Sequence, residues 1–381
     1  MRSLPRVVVP LAALAVVVAV VGAAVSTASG DRPAEASRAD QRQERATSPA
    51  SLARSLLPAK RARPTVETRS WPVGGSFDGG DVSDDSAIYA NPTSPARSVV
   101  VADNKDPSVG GIGVYSMSGR LLQFRQGGQI GNVDLRPGFS LGGRRVVLAG
   151  ANNRTNDSQE FWVLNRATRK LSATKSRGTL ATQADNYGYC MYKSPTSGRF
   201  YSFVTATDGV VRQYRLFNSG GQVAATRVRT FDVGGQTEGC AADDRLRKFY
   251  AAEEDGSLWK YNAEPTGGST RKAVVTAGAG GTVADLEGVS IAYGKGNAGY
   301  VYLSSQGNDT IKVYHRVTGA LVRSITVPAN GSIDAVGDTD GLDVTGANLG
   351  PGFRYGALVV HDEMNSGGTT SNLKYVPLVR R

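Results

Sequence analysis

One pattern recurs six times along this chain, and it leaves few folds open. From residue 81 onward, each repeat opens on an acidic residue or a tyrosine, usually beside glycine, and leads into a short apolar strand. A turn of Gly, Pro or Asn follows, then a very apolar strand, a polar tight turn, a strand bearing an aromatic residue and a hairpin into one more strand. The openings read Asp84-Asp85-Ser86-Ala87, Asn132-Val133-Asp134-Leu135, Tyr187-Gly188-Tyr189-Cys190, Glu238-Gly239-Cys240-Ala241, Glu287-Gly288-Val289-Ser290 and Asp340-Gly341-Leu342-Asp343. Counted from Asp85 through Asp134, Tyr187, Glu238 and Glu287 to Asp340, they return every 49 to 53 residues. A single unit of this kind cannot bury its own faces, so neighbouring units must cover one another. Six units of four strands predict an all-β, six-bladed β-propeller with four-stranded blades. The aromatics of the third strands (Tyr115, Trp162, Tyr214, Tyr261, Tyr314 and Tyr375) are then core residues. Little sequence follows Tyr375, so the sixth blade is expected to borrow its outer strand from residues 69–77.

The repeats account for residues 64–381; what precedes them reads differently. Residues 1–29 have a basic start, an apolar run from Val7 to Val25 and then small residues, the form of a secretory signal. The run is also long enough to serve as a retained anchor. Residues 30–63 are rich in Ala, Arg, Ser and Pro and lack aromatics, which predicts a disordered basic linker. Cleavage of the signal gives a secreted protein without stable membrane contact; retention gives one anchored at its N-terminus and facing outward. Of the net charge of +11, residues 1–63 supply ten Lys/Arg against four Asp/Glu. That distribution, with no recognition motif after it, argues against nucleic acid as a partner. Cys190 and Cys240 are the two cysteines, and in an exported chain they are equally readable as one disulfide or as two buried thiols.

In a propeller the innermost strands surround an axial channel, and the turns between second and third strands point to the same mouth as the openings. The openings supply Asp85, Asp134, Tyr187, Glu238, Glu287 and Asp340, with Asp334 and Asp338 just upstream of the last. The turns supply Lys105, Arg154, Glu254, Asp309 and His361 among others. Five carboxylates aimed at one opening repel each other and raise one another's pKa unless a cation joins them. Ca²⁺, which accepts six to eight oxygen ligands in loose geometry, suits such a ring. A single acid of this kind is usually a solvated strand cap; the repetition is what points to metal.

The same residues resemble a known family, the β-propeller phytases of bacteria. The resemblance is carried by Asp-Asp-Ser-Ala-Ile-Tyr (84–89), Asn-Val-Asp-Leu-Arg (132–136), Asn-Arg-Thr (153–155), Tyr-Gly-Tyr (187–189) and Gln-Thr-Glu-Gly (236–239). It continues through Ala-Glu-Glu-Asp (252–255), Asn-Ala-Glu-Pro (262–265), Asp-Leu-Glu-Gly (285–288), Ser-Ser-Gln-Gly-Asn (304–308) and Asp-Thr-Asp-Gly-Leu-Asp-Val (338–344). It implies calcium-dependent hydrolysis of phosphomonoesters of phytate (myo-inositol hexakisphosphate), free or as calcium phytate, by a monomeric enzyme holding several Ca²⁺ ions. By matching motif, Asp85, Glu238, Glu254, Glu287, Asp334 and Asp340 would hold calcium or the attacking water, and Lys105, Arg154 and Tyr187 would bind phosphate. A guanidinium offers bidentate contacts and an ammonium a compact point charge for that purpose. Three positions depart from the pattern: Thr207 and Asp106 stand where the family carries lysines, and Ser86 where it carries proline. The first two remove positive charge near the expected phosphates, with Lys193 and Arg212 as the nearest compensating candidates.

Other phosphatase chemistries lack their residues. His315 and His361 are the two histidines, too few for a His-rich dinuclear centre, and neither cysteine has an arginine six positions on. No Walker loop or Gly-x-Ser-x-Gly elbow is present. Two other readings keep the fold: a propeller hydrolase with another substrate, and a non-catalytic calcium-stabilised binding module.

Overall fold

The computed structural model describes residues 61–71, 81–366 and 370–379. The expected leader and most of the linker lie outside these residues. Six antiparallel sheets follow one another along the chain, and there is no α-helix among the described residues. Blade 1 runs Ser86–Tyr89, Val99–Asn104, Gly111–Ser116 and Leu121–Gln126. Blade 2 runs Ile130–Leu141, Arg144–Asn153 and Ser158–Asn165, with its outer edge made of two short pieces, Lys170–Leu171 and Leu180–Ala181. Blade 3 comprises Asn186–Lys193, Phe200–Ala206, Val210–Ser219 and Gln222–Asp232; blade 4 comprises Thr237–Asp243, Lys248–Glu253, Ser257–Asn262 and Arg271–Thr276. Blade 5 comprises Leu286–Tyr293, Gly299–Ser305, Thr310–His315 and Leu321–Ile325, and blade 6 Leu342–Thr345, Ala357–Asp362 and Asn372–Pro377.

The sixth blade takes its fourth strand from the N-terminal side, closing the ring as expected. The strand is Val66–Glu67, pairing with Tyr375 and Lys374, somewhat upstream of the expected segment. Hydrogen bonds from Thr68 N to Leu373 O and Trp71 N to Ser371 O carry the pairing on; residues 72–77 lie outside the described residues. The chain is already docked at residues 61–63: Ala62 is buried against blades 5 and 6 and its N–H meets Thr326 O.

The apolar core is divided among the blade interfaces, one cluster for each consecutive pair, including one between blades 6 and 1. Strand alternation produces this division. On the second strand of blade 4, Phe249 and Ala251 face blade 3 while Tyr250 and Ala252 face blade 5. All six third-strand aromatics are buried at these interfaces. Cys190 and Cys240 form a disulfide between the innermost strands of blades 3 and 4, which resolves the two readings of the sequence. No helix among the described residues is long and apolar enough to cross a membrane.

Candidate active site

The innermost strands share a local irregularity that builds one mouth of the channel. In blade 4 the ladder pairs Thr237 with Glu253 and then Cys240 with Ala251, so Glu238 and Gly239 bulge out of register. The same slip occurs at Tyr187 and Gly188, at Glu287 and Gly288, and at Gly131 and Asn132. At the bulges of blades 3, 4 and 5, and at Gly341 where the innermost strand of blade 6 begins, the glycine touches the next blade. A Cβ on Gly188 would lie 1.9 Å from Glu238 O, on Gly239 2.1 Å from Glu287 O, on Gly288 2.6 Å from Gly341 Cα and on Gly341 2.1 Å from Asp84 O. Only glycine allows backbones this close. The recurring residue-glycine pair is thus the point where successive blades meet around the axis, and the residue before the glycine sits at the mouth.

This close approach sets the register, and it differs from the sequence expectation in two blades. Gly341 N donates to Asp84 O, and Ser86 pairs with Ala102 as Val133 pairs with Ala151 and Cys240 with Ala251. The mouth position of blade 1 is therefore Asp84, not Asp85, and that of blade 2 is Gly131, not Asp134. The ring reads Asp84, Gly131, Tyr187, Glu238, Glu287 and Asp340.

Two cations are woven into it. Arg154 donates to Asp84 Oδ2 and Glu238 Oε1, both at 2.6 Å, and to Tyr187 O at 2.9 Å. Its guanidinium lies 4.3 Å from the centre of the Tyr187 ring. Lys105 Nζ pairs with Asp81 at 2.6 Å and with Asp84. Burial pushes the Asp84 carboxyl up, but Arg154 and Lys105 together hold it well below the usual carboxylate range. Glu238 is pushed well up, by burial and then by Asp84, despite the same two cations. Glu287 and Asp340 are also pushed well up, by burial and then by neighbouring carboxylates. Burial, followed by Asp285, takes Glu254 to about 7.

These acids converge. Oxygens of Glu238, Glu287 and Asp340 lie within 4.8 Å of one another, as do those of Asp81, Asp84 and Asp340, so Asp340 belongs to both groups. Four buried carboxylate oxygens at this mouth have no hydrogen-bond partner: Asp81 Oδ1, Glu254 Oε1, Glu287 Oε2 and Asp340 Oδ1. Buried anionic oxygens are costly without a donor or a metal. An oxygen-only set with orphaned lone pairs fits a hard cation such as Ca²⁺.

The remaining predicted residues lie elsewhere. Asp85 and Asp134 stand beyond the bulge, lining an axial cavity of about 520 Å³ with Asp343 and Arg136. Asp134 is paired with Arg136 at 2.6 Å and accepts Met191 N at 2.8 Å. Asp334 pairs with the fully buried Lys374, which also pairs with Asp362, so a lysine already supplies a cation there. Burial raises the Asp334 pKa, but the hydrogen bonds from Lys374 and the Ser366 N–H, together with the lysine's charge, make the net shift downward. Asp106 caps its turn, accepting Ser108 N at 2.7 Å and Val109 N at 2.9 Å, and Thr207 is exposed. Lys193 ends the innermost strand of blade 3 whose other end is at the mouth, and Arg212 donates to Thr182 O at 3.0 Å. His361 is buried rather than solvated, and burial lowers its pKa to about 3.

Sequence reasoning missed Asp81, Asp84 and Asp103. Asp103 accepts the backbone N–H groups of Asp84 (2.9 Å) and Asp85 (2.6 Å) and so fixes the blade 1 opening. The available signal was the glycine: the mouth residue is the one preceding the close-approach position.

Fold and site together define a six-bladed propeller whose acidic mouth, a candidate metal site, holds a half-buried arginine and lysine. The chain belongs to the phytase family, whose model, described as Phytase, matches residues 46–377. It is 36% identical over 307 residues to the 3-phytase of Bacillus subtilis (strain 168), covering 79% of each chain, and is a homologue of that enzyme. A solved luciferin-regenerating enzyme superposes with a TM-score of 0.51 at 11% identity, over 82% of this chain and 95% of that one, a likeness of fold alone.

Proposed function

We propose that this protein hydrolyses phosphomonoesters of phytate in a calcium-dependent reaction at the mouth formed by Asp84, Tyr187, Glu238, Glu287 and Asp340. The observation that carries this reading is the set of buried, unpartnered carboxylate oxygens around Lys105 and Arg154 in a phytase-family chain. Asp81, Asp84, Glu238, Glu287 and Asp340, with Glu254 beside them, would hold calcium, which offsets the charge of the acids and of the substrate phosphates and acidifies water. Arg154 and Lys105 bind phosphate oxygens of the substrate. The Tyr187 ring under the guanidinium keeps Arg154 in one plane. Glu238, between Arg154 and the carboxyl groups of Glu287 and Asp340, would hold calcium or position the attacking water. The Asp106 and Thr207 departures leave Lys105 and Arg154 in place and bear on the grip on additional phosphates. The disulfide and the leader support an exported protein, working outside the cell.

The test is inorganic phosphate release from phytate by the purified chain, with millimolar calcium and with excess chelator. Release that needs calcium and falls at least 100-fold in Arg154→Gln supports the reading. A folded protein that releases no phosphate under either condition overturns it.

A further inference from the structure

Charge is distributed unevenly around the ring. From Ile130 to Asp232, which spans blades 2 and 3, there are fifteen Lys/Arg and six Asp/Glu; the rest of residues 64–381 has 19 against 23. Two blades therefore carry +9 while the remainder carries −4. Asp134 lies on the innermost strand, paired with Arg136, and the other five acids, Asp157, Glu160, Asp185, Asp208 and Asp232, lie at the end of these blades that faces the acidic mouth. The other rim of blades 2 and 3 has no acid. Of the fifteen cations, only Arg136 and Arg154 make ion pairs among the described residues.

That rim contains a cavity of about 440 Å³ with an aliphatic floor (Leu141, Val146, Val163 and Leu171) edged by Arg144, Lys170 and Lys175, with Asn165, Thr168 and Ser172 as its neutral polar groups and no carboxylate. It lies where the outer strand of blade 2 is broken: between Lys170–Leu171 and Leu180–Ala181 the chain keeps only scattered bonds to the third strand, Ser172 N to Val163 O and Lys175 N to Phe161 O, and Ser176 bridges to Val223 of blade 3. The innermost strand of blade 2 begins at the mouth with Ile130 and ends eleven residues later at Leu141, beside the cavity, with two bulged positions between. At ~3.3 Å per residue, roughly 30–35 Å separates the two ends, too far for one small substrate to occupy both.

We propose that this rim is a docking surface for a linear, base-free phosphate polymer, with Arg144, Lys170 and Lys175 gripping successive phosphates. Charge complementarity selects a polyanion, and the absence of other recognition elements selects its kind. Among the described residues of these two blades the exposed large hydrophobic is Val228, and no aromatic is exposed. A bilayer-binding surface carries apolar or aromatic anchors among its cations, and a single-stranded nucleic-acid surface carries stacking aromatics. The aliphatic residues of the cavity, Leu141, Val146, Val163 and Leu171, are buried or half-buried and form its floor; around them the rim exposes cations and neutral polar groups without an aromatic, which suits a chain of phosphates without bases or tails.

The test uses the full chain and fluorescently labelled inorganic polyphosphate, titrated between 50 and 300 mM NaCl. The variant Arg144→Gln/Lys170→Gln/Lys175→Gln is compared with a control of equal charge change at exposed cations elsewhere, Lys272→Gln/Lys295→Gln/Arg354→Gln. Loss of three phosphate contacts lowers affinity at least tenfold near 100 mM salt and reduces the slope of log K against log salt by about 2. The control changes affinity less than threefold. Both variants keep wild-type phytate hydrolysis, so the outcome is independent of the active-site reading. The proposal is overturned if the two variants lose affinity equally, if the wild type does not bind polyphosphate at 50 mM salt, or if duplex DNA of equal phosphate content competes more strongly than polyphosphate.

Discussion

Gly239→Ala tests how the ring builds its site. Gly239 has no left-handed backbone conformation, so alanine is conformationally permitted there and the cost is steric. The new methyl would lie 2.1 Å from Glu287 O and 2.6 Å from Glu287 C. Ordinary contact requires the two innermost strands to part by about 1 Å or more. Backbone cannot swing aside as a long side chain can, so destabilisation should reach the upper end of the overpacking range, about 3 kcal/mol. Glu238 and Glu287 flank this contact, and a displacement of that size at a catalytic centre costs about 100-fold in rate. Guanidinium unfolding followed by the fluorescence of Trp71, Trp162 and Trp259 measures the first effect, and phosphate release the second. The control is Gly127→Ala, where the nearest atom to the new methyl is Ile130 Cδ1 at 3.8 Å; it should stay within about 0.5 kcal/mol of wild type. If Gly239→Ala also stays within that limit and retains full activity, the close approach does not hold the mouth together and the register argument fails.

Other perturbations follow from the same geometry. Replacing both Cys190 and Cys240 by serine opens a loop of sequence separation 50 and should cost up to about 4 kcal/mol by chain entropy, read as a fall in unfolding midpoint that reductant reproduces in the wild type. Arg154→Met leaves Asp84 and Glu238 without their shared cation and should cost about 3–5 kcal/mol in chelator, with a smaller loss in calcium; equal losses in both would contradict a shared cation pool. His361, buried with its pKa lowered to about 3, contributes stability that is present above pH 6.5 and lost as pH falls toward 3. His361→Leu should flatten that acid slope by up to about 1.4 kcal/mol per pH unit, measured by denaturant titration at pH 4, 5 and 6.

The propeller was legible because its signals are local and periodic. The third-strand aromatics and the alternation in strands such as Lys248–Glu253 follow from a pleat of period two, and six copies amplified them. The mouth acids of blades 4, 5 and 6 were legible because glycine follows each of them. Blade 1 offers Asp84 and Asp85 in succession, and the position equivalent to glycine is occupied by Asp85, so no residue type marked the register. In blade 2 the mouth residue is itself a glycine, and the nearby Asp134 drew the assignment three residues along, onto a carboxylate already committed to Arg136. Asp334 lies near Asp340 in sequence, but its partner is Lys374 on the third strand of blade 6, a pairing that depends on the ring closing. The closing strand itself is two residues long, too short for any period to show.

The most direct test of the central claim is the calcium dependence of phytate hydrolysis in Asp340→Asn and Asp334→Asn beside the wild type. Asp340 belongs to both carboxylate groups at the mouth, whereas Asp334 is neutralised by a buried lysine. The account predicts that Asp340→Asn loses activity or needs at least tenfold more calcium for half-maximal rate, while Asp334→Asn keeps the wild-type calcium requirement at temperatures where it is folded. Wild-type calcium dependence in Asp340→Asn would contradict it.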